Sequence, residues 1–170
     1  MYETERLILR KISPIDENSL FRLDSDPLVH QYLGNSPVTE MHQIKDVIEL
    51  ITKQYENLGI GRYAVLLKET NEFIGWAGLK MYTEKLNGHQ HFYDLGYRFI
   101  PAFWGKGYAT EASLAWIDIA RSQFKAKDVF AMVDSKNMAS KKVLEKCGLI
   151  YQNSFEFDEI MHLWYRKPLI

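Results

Sequence analysis

The stretch Pro101-Ala102-Phe103-Trp104-Gly105-Lys106-Gly107-Tyr108-Ala109-Thr110-Glu111-Ala112 runs from a predicted strand into a predicted helix. Gly105, Gly107 and the small Ala109 let the backbone turn sharply and expose several N–H groups ahead of the helix, whose positive end favours phosphate. The junction reads as an anion cradle, although a glycine turn with no ligand would use the same residues. Two nucleotide-binding patterns fail here on spacing. A Walker loop needs GxxxxGK[ST], which Gly105 and Gly107 do not offer. A dinucleotide fingerprint would put a glycine where Thr110 stands. Asp134 imitates the ribose-binding acid, but too little chain follows it for further parallel units.

Upstream of this loop, His91 to Phe99 reads as a strand. Arg62 to Leu67 and Phe73 to Met81 read as a hairpin joined by Glu69-Thr70-Asn71-Glu72. Before them, Ile44, Val47, Ile48, Ile51, Tyr55 and Leu58 share one face of a helix that opens at Thr39 and is closed by Gly59. Thr4 to Ile12 alternates as a first strand, Asp16 to Leu23 is a short helix broken at Asp26-Pro27, and Pro27 to Thr39 is irregular. Downstream come a helix over Thr110–Phe124, a strand over Val129–Val133 and a helix over Ala139–Cys147 ended by Gly148. Strands near Leu149–Ser154 and Ile160–Tyr165 complete the chain. This order predicts one α/β (α+β) domain over residues 1–170. Its mixed, mainly antiparallel sheet has about seven strands, with about four helices on its faces.

Composition sets the class. The 170 residues are 46% hydrophobic and 25% charged, ordinary for a globular domain. The 21 Lys plus Arg against 22 Asp plus Glu give a net charge of −1, without the basic excess of a protein held mainly by nucleic-acid phosphates. The charge is unevenly spread: Trp104 to Lys146 holds eight basic and five acidic residues, and the rest of the chain 13 and 17. The loop's half is thus basic, which suits a phosphate-bearing ligand, although lysines covering helix faces would give the same count. The lone Cys147 excludes an internal disulfide framework and a Cys-rich zinc site, and a reducing cytoplasmic setting is expected. Met1 to Arg6 carries charge where a secretory signal needs apolar residues. Apolar runs as long as Tyr63 to Leu67 are far short of the roughly 20 residues that span a bilayer. His89 and His91 lack a third ligand nearby, so no metal is expected.

Taken together, Thr4 to Arg10, Phe73 to Leu79, Leu95 to Phe99, Trp104 to Ala112, Asn137 to Ser140 and Val143 to Leu149 resemble the GNAT superfamily of N-acetyltransferases, in particular its RimJ/RimL-like branch. The resemblance implies a sheet that splays between the fourth and fifth predicted strands, with acetyl-CoA as cosubstrate. The superfamily's pyrophosphate signature falls on Trp104, Gly105, Lys106, Gly107, Tyr108 and Ala109, with Trp104 departing from its first position. Backbone near Arg98, Phe99 and Ile100, together with Asn137, would meet the pantetheine arm. A tyrosine expected seven residues after the asparagine is replaced by Leu144, which leaves Ser140 as the nearby hydroxyl to protonate the leaving thiolate and adds it to the cofactor-binding set.

The resemblance makes Asp94, just before Gly96-Tyr97 where the branch carries an acid, the first candidate for the base that takes the amine proton, with Glu84 and Glu156 behind it. His30, Tyr32, Leu33, Tyr82 and His91 are expected to line the acceptor site. Cys147 is expected to be a helix-end hydrophobe, not a nucleophile. The resemblance implies an amine acceptor, a peptide N-terminus such as that of a ribosomal protein, or a small amine or antibiotic. Nucleic acid and membrane are not expected partners, and a monomer or homodimer is expected. A module that binds acetyl-CoA without catalysis is the alternative of another class.

Overall fold

The computed structural model describes residues 1–170. Its eight strands are β1 (Tyr2–Glu3), β2 (Leu7–Lys11), β3 (Arg62–Leu67), β4 (Phe73–Tyr82), β5 (Phe92–Phe99), β6 (Asp128–Asp134), β7 (Ile150–Phe157) and β8 (Ile160–Pro168). They form one sheet in the order β1-β2-β3-β4-β5-β6-β8-β7. Every neighbouring pair is antiparallel except β5 and β6. The helices are α1 (Glu17–Asp24), α2 (Pro27–His30), α3 (Met41–Leu58), α4 (Tyr108–Ser122) and α5 (Met138–Lys146).

Period-two alternation assigns the two faces of the sheet. Tyr63 packs edge-on against Trp116 of α4, with ring centroids 4.8 Å apart, and register places Ala77 and Tyr97 on the same face. Arg62, Trp76, Gly78, Gly96 and Arg98 therefore point to the opposite face, where Arg98 meets Asp24 of α1. Leu7, Leu9, Ile74, Ala77, Leu79, Trp116 and Ala120 are buried in the core between these layers.

The parallel pair is short, matching only Tyr93 with Val129 and Asp94 with Phe130. Beyond Asp94, β5 continues along β4 to Phe99 and β6 along β8 to Asp134 without pairing with each other, so the sheet opens into a V as expected between the fourth and fifth predicted strands. An extended segment laid in that V would find backbone groups along its sides.

The structure holds one strand and one helix more than expected. The two residues of β1 pair with Leu9 and Ile8, too few to show a period. In the segment read as irregular, the Asp26 side chain accepts from the Leu28 N–H and Pro27 occupies the first turn, winding Pro27–His30 into α2. Helix α4 starts at Tyr108, two residues before the expected Thr110. Helix α3 starts at Met41, where the Gln43 side chain accepts from the Thr39 and Glu40 N–H groups.

The first turn of α4 is tied to the N-terminal strands. Glu111 accepts from the Thr4 hydroxyl at 2.6 Å, the Arg6 N–H at 2.8 Å and the Arg6 Nε at 2.7 Å. Burial pushes the Glu111 carboxyl upward, but these donors together outweigh it and hold the pKa below its ordinary value. A depressed carboxylate stabilises the fold above its unfolded pKa and loses that contribution as pH falls through the folded value. Glu111→Ala should therefore cost about 1–2 kcal/mol at pH 7, a figure reduced because Arg6 is partly exposed. Urea melts of the two proteins should converge as pH falls below about 4.

Candidate active site

Gly105 and Gly107 both take left-handed backbone, at φ +73° and +84°, and Gly107 is the N-cap of α4. The backbone N–H groups of the six consecutive residues Gly105 to Thr110 find no acceptor within the chain. Such a run of free donors at the start of a 15-residue helix suits phosphate oxygens. Arg6 braces the loop from outside, donating to the Lys106 carbonyl at 2.9 Å and lying 4.5 Å from the centre of the Tyr108 ring. Trp104 turns its indole N–H back to the Phe99 carbonyl at 2.7 Å, fastening the loop to the end of β5.

The open edge of β5 differs in detail from expectation. Ile100 gives its N–H to the Ile74 carbonyl, toward β4. By the alternation of an antiparallel ladder, Arg98 turns its backbone the same way, whereas Tyr97 and Phe99 turn theirs into the V. With the Phe99 carbonyl engaged by Trp104, the backbone groups of Tyr97 and the Phe99 N–H are left to face the V, whereas Arg98 and Ile100 turn toward β4.

Asp94 lies where β5 and β6 part and is almost wholly buried. Arg62 donates to its carboxylate at 2.9 Å, to its backbone carbonyl at 2.9 Å and to the Gly78 carbonyl at 3.0 Å. The guanidinium needs the space above Gly96, where a Cβ would come within 2.7 Å of it. Burial raises the Asp94 pKa, opposed by the charge and hydrogen bond of Arg62, by Lys80 and by the Met132 N–H. A buried carboxyl raised in this way is a candidate proton acceptor. Arg62 and Arg98 each lie 5.2 Å from the Trp76 ring centre, and Arg98 pairs with the buried Asp24 at 2.7 Å. The arginines of this face are thus held by aspartates. Their partners were missed in the sequence, although glycines at 78 and 96 on facing strands signal room for one long side chain.

On the opposite face, Asn137 caps α5 by accepting from the Ser140 N–H at 3.1 Å, which commits its Oδ1 and leaves its Nδ2 to donate. The Ser140 hydroxyl lies 2.9 Å from the Tyr97 phenol oxygen. Leu144 is buried in the core. Cys147 is buried, and burial pushes its thiol up to about 11. A thiol so raised is a poor nucleophile.

The five expected acceptor-site residues do not come together. His30 is buried beside Asp24 and Arg98, with both ring nitrogens unpartnered. Its pKa is lowered by burial and by Arg98, so the ring is neutral at pH 7. Tyr32 is half-buried and Leu33 exposed in the turn after α2. Tyr82 stacks on Phe92 at the far end of β5 from Arg98, six residues or roughly 20 Å along the strand. His91 is exposed at a left-handed corner ahead of β5, while His89 packs 4.6 Å from the Phe130 ring centre. Glu84 and Glu156 are exposed.

Residues 6–150 match the family model described as an acetyltransferase (GNAT) domain. The chain is 34% identical to an uncharacterized N-acetyltransferase p20 of Bacillus licheniformis, across 83% of this chain and 77% of that protein. It superimposes on RimL, a ribosomal L7/L12 α-N-protein acetyltransferase solved with coenzyme A, with a TM-score of 0.82 at 15% identity, covering 98% and 96% of the two chains. A spermidine N-acetyltransferase from Vibrio cholerae, solved with CoA and spermine, superimposes with a TM-score of 0.79 at 17% identity, covering 98% and 97%. At such identities these two structures speak for the fold alone.

Proposed function

The chain belongs to the GNAT acetyltransferase family, and on that premise we propose that it moves the acetyl group of acetyl-CoA onto a primary amine, with a protein N-terminal α-amine of the RimJ/RimL type as first acceptor. The run of free amides from Gly105 to Thr110, beside the V between β5 and β6, is the observation that carries this reading. Those amides would hold the pyrophosphate, and the edges of Tyr97 and Phe99 with the Asn137 side chain would hold the pantetheine arm. Acetyl-CoA supplies the thioester that the amine attacks.

An ammonium has no lone pair, so the acceptor must lose a proton first. An α-amine, with a pKa of roughly 7.7–8.0, does so more readily at pH 7 than a lysine-like amine at about 10.4. Asp94 takes that proton, directly or through water. The amine nitrogen bonds to the acetyl carbon, the carbon–sulfur bond breaks with its electron pair going to sulfur, and Ser140 supplies the sulfur's proton. Solvent exchange then restores both side chains. No acyl-enzyme is required, and holding the reactants in register can supply on the order of 7–11 kcal/mol of the barrier reduction.

Release of free CoA, followed across peptide N-termini, polyamines and aminoglycosides, tests the proposal. A peptide α-amine is expected to give the highest kcat/KM. Preference for spermidine would move the acceptor to the polyamines. Acetyl-CoA binding without turnover of any amine would leave a non-catalytic binding module.

A further inference from the structure

Tyr97 stands three residues beyond Asp94, on the part of β5 from which β6 has parted. Its side chain crosses toward α5, the helix that follows β6, and its phenol oxygen lies 2.9 Å from Ser140 Oγ and 3.0 Å from the Ser140 carbonyl. No other side-chain hydrogen bond joins the open end of β5 to α5: Arg98 turns to α1, and the Phe99 carbonyl is taken by Trp104. The phenol therefore bridges the two lips of the V and holds the one hydroxyl on its α5 side that the proposed reaction uses.

We propose that Tyr97 is a positioning residue that orients the Ser140 hydroxyl toward the departing sulfur. The inference rests on the acetyl-transfer reading, with Ser140 as proton donor. A serine hydroxyl left alone rotates among three staggered positions. Ser140 has its N–H fixed by Asn137 Oδ1, and only Tyr97 fixes its Oγ. The phenol has a single proton. When that proton lies on the Ser140 carbonyl, the serine hydroxyl must donate back to the phenol and has nothing left for sulfur. When it lies on Oγ, the serine proton is free. In this second arrangement Tyr97 also stabilises the negative charge that grows on Oγ as its proton passes to the sulfur, and water then restores the serine proton.

Burial holds the phenol's pKa above that of an ordinary tyrosine, while its bond to Ser140 pulls the other way. Tyr97 therefore keeps its proton and remains a donor instead of becoming the proton source. Its charged-state neighbours are the Cys147 thiol and the Tyr165 phenol, both pushed up by burial and neutral near pH 7. Leu144 offers no hydroxyl that could replace the arrangement.

A double-mutant cycle tests the inference. Tyr97→Phe and Ser140→Ala are each expected to lower kcat about tenfold, with KM for acetyl-CoA changed less than about twofold, as for loss of one hydrogen bond to a developing charge. A residue that acts only through its partner adds nothing once the partner is gone, so the double variant should match Ser140→Ala. Ser140→Thr, which keeps a hydroxyl, should retain most of kcat, and thermal melts show whether each variant is folded at the assay temperature. Losses that multiply to about a hundredfold, or a Tyr97→Phe effect confined to KM, would show that the ring only packs and overturn the inference. An unchanged kcat in Ser140→Ala also overturns it but leaves acetyl transfer standing, whereas a wild-type protein that acetylates no amine defeats both.

Discussion

Asp94→Asn is expected to lower kcat by about 10²- to 10⁴-fold, the contribution of a positioned general base, with acetyl-CoA affinity changed less than about twofold. Asparagine keeps an oxygen for Arg62, which donates to the Asp94 side chain at 2.9 Å, so the guanidinium is not stranded. The variant thus removes the ionisable group with little loss of packing. Burial raises the Asp94 pKa, so wild-type kcat should rise with pH through a value above the ordinary carboxylate range as the working carboxylate forms. The variant should lack that limb.

The same shift predicts a stability slope of defined sign. The folded state holds the Asp94 proton more tightly than the unfolded chain, so stability from this group falls as pH rises from its unfolded pKa through the raised one. Asp94→Asn should abolish that slope in melts across the interval. A variant with full kcat and an intact acid limb would move the base to another carboxylate, Glu84 or Glu156 being the ones to replace next.

Gly107→Trp is expected to weaken acetyl-CoA binding at least about a hundredfold by calorimetry, equal to the loss of one or two hydrogen bonds to a charged ligand. Two effects combine. Gly107 sits at φ +84°, where a residue with a Cβ carries strain of roughly 1–2 kcal/mol. A Cβ there would also lie 3.3 Å from the Arg6 guanidinium that braces the loop, so the indole must displace that brace or cover the free amides. Unchanged affinity in a folded variant would sink the assignment of this loop to the pyrophosphate.

Legibility in the sequence followed chain distance. The loop could be read because its glycines, the strand before it and the helix after it lie within a dozen residues, and each position is governed by local backbone geometry. The hairpin of β3 and β4 and the amphipathic face of α3 were legible for the same reason, since period and turn chemistry are local signals. The pairing of Asp94 with Arg62 spans 32 residues and that of Tyr97 with Ser140 spans 43, so both depend on register across strands and helices. The family resemblance marks Asp94 by its place just before Gly96 and Tyr97, but its clamp is visible only where Gly78 and Gly96 stand opposite each other beside Arg62. The scatter of His30, Tyr82 and His91 along the length of β5 has the same origin. Residues near a site in sequence diverge in space when a strand carries them past it.

The clasp of Arg6 on the Lys106 carbonyl and on Glu111 bears on how the anion cradle comes into being. These contacts join residues separated by 100 and 105 positions, so the cradle's final shape belongs to the assembled sheet and not to the twelve residues that display it. Excised as a peptide, or grafted onto a scaffold without a counterpart of Arg6, those residues would keep their glycines and lose their preorganisation. In the folding chain, closure of that long loop must precede a competent phosphate site, which makes ligand capture a late event and a reporter that the N-terminal strands have docked.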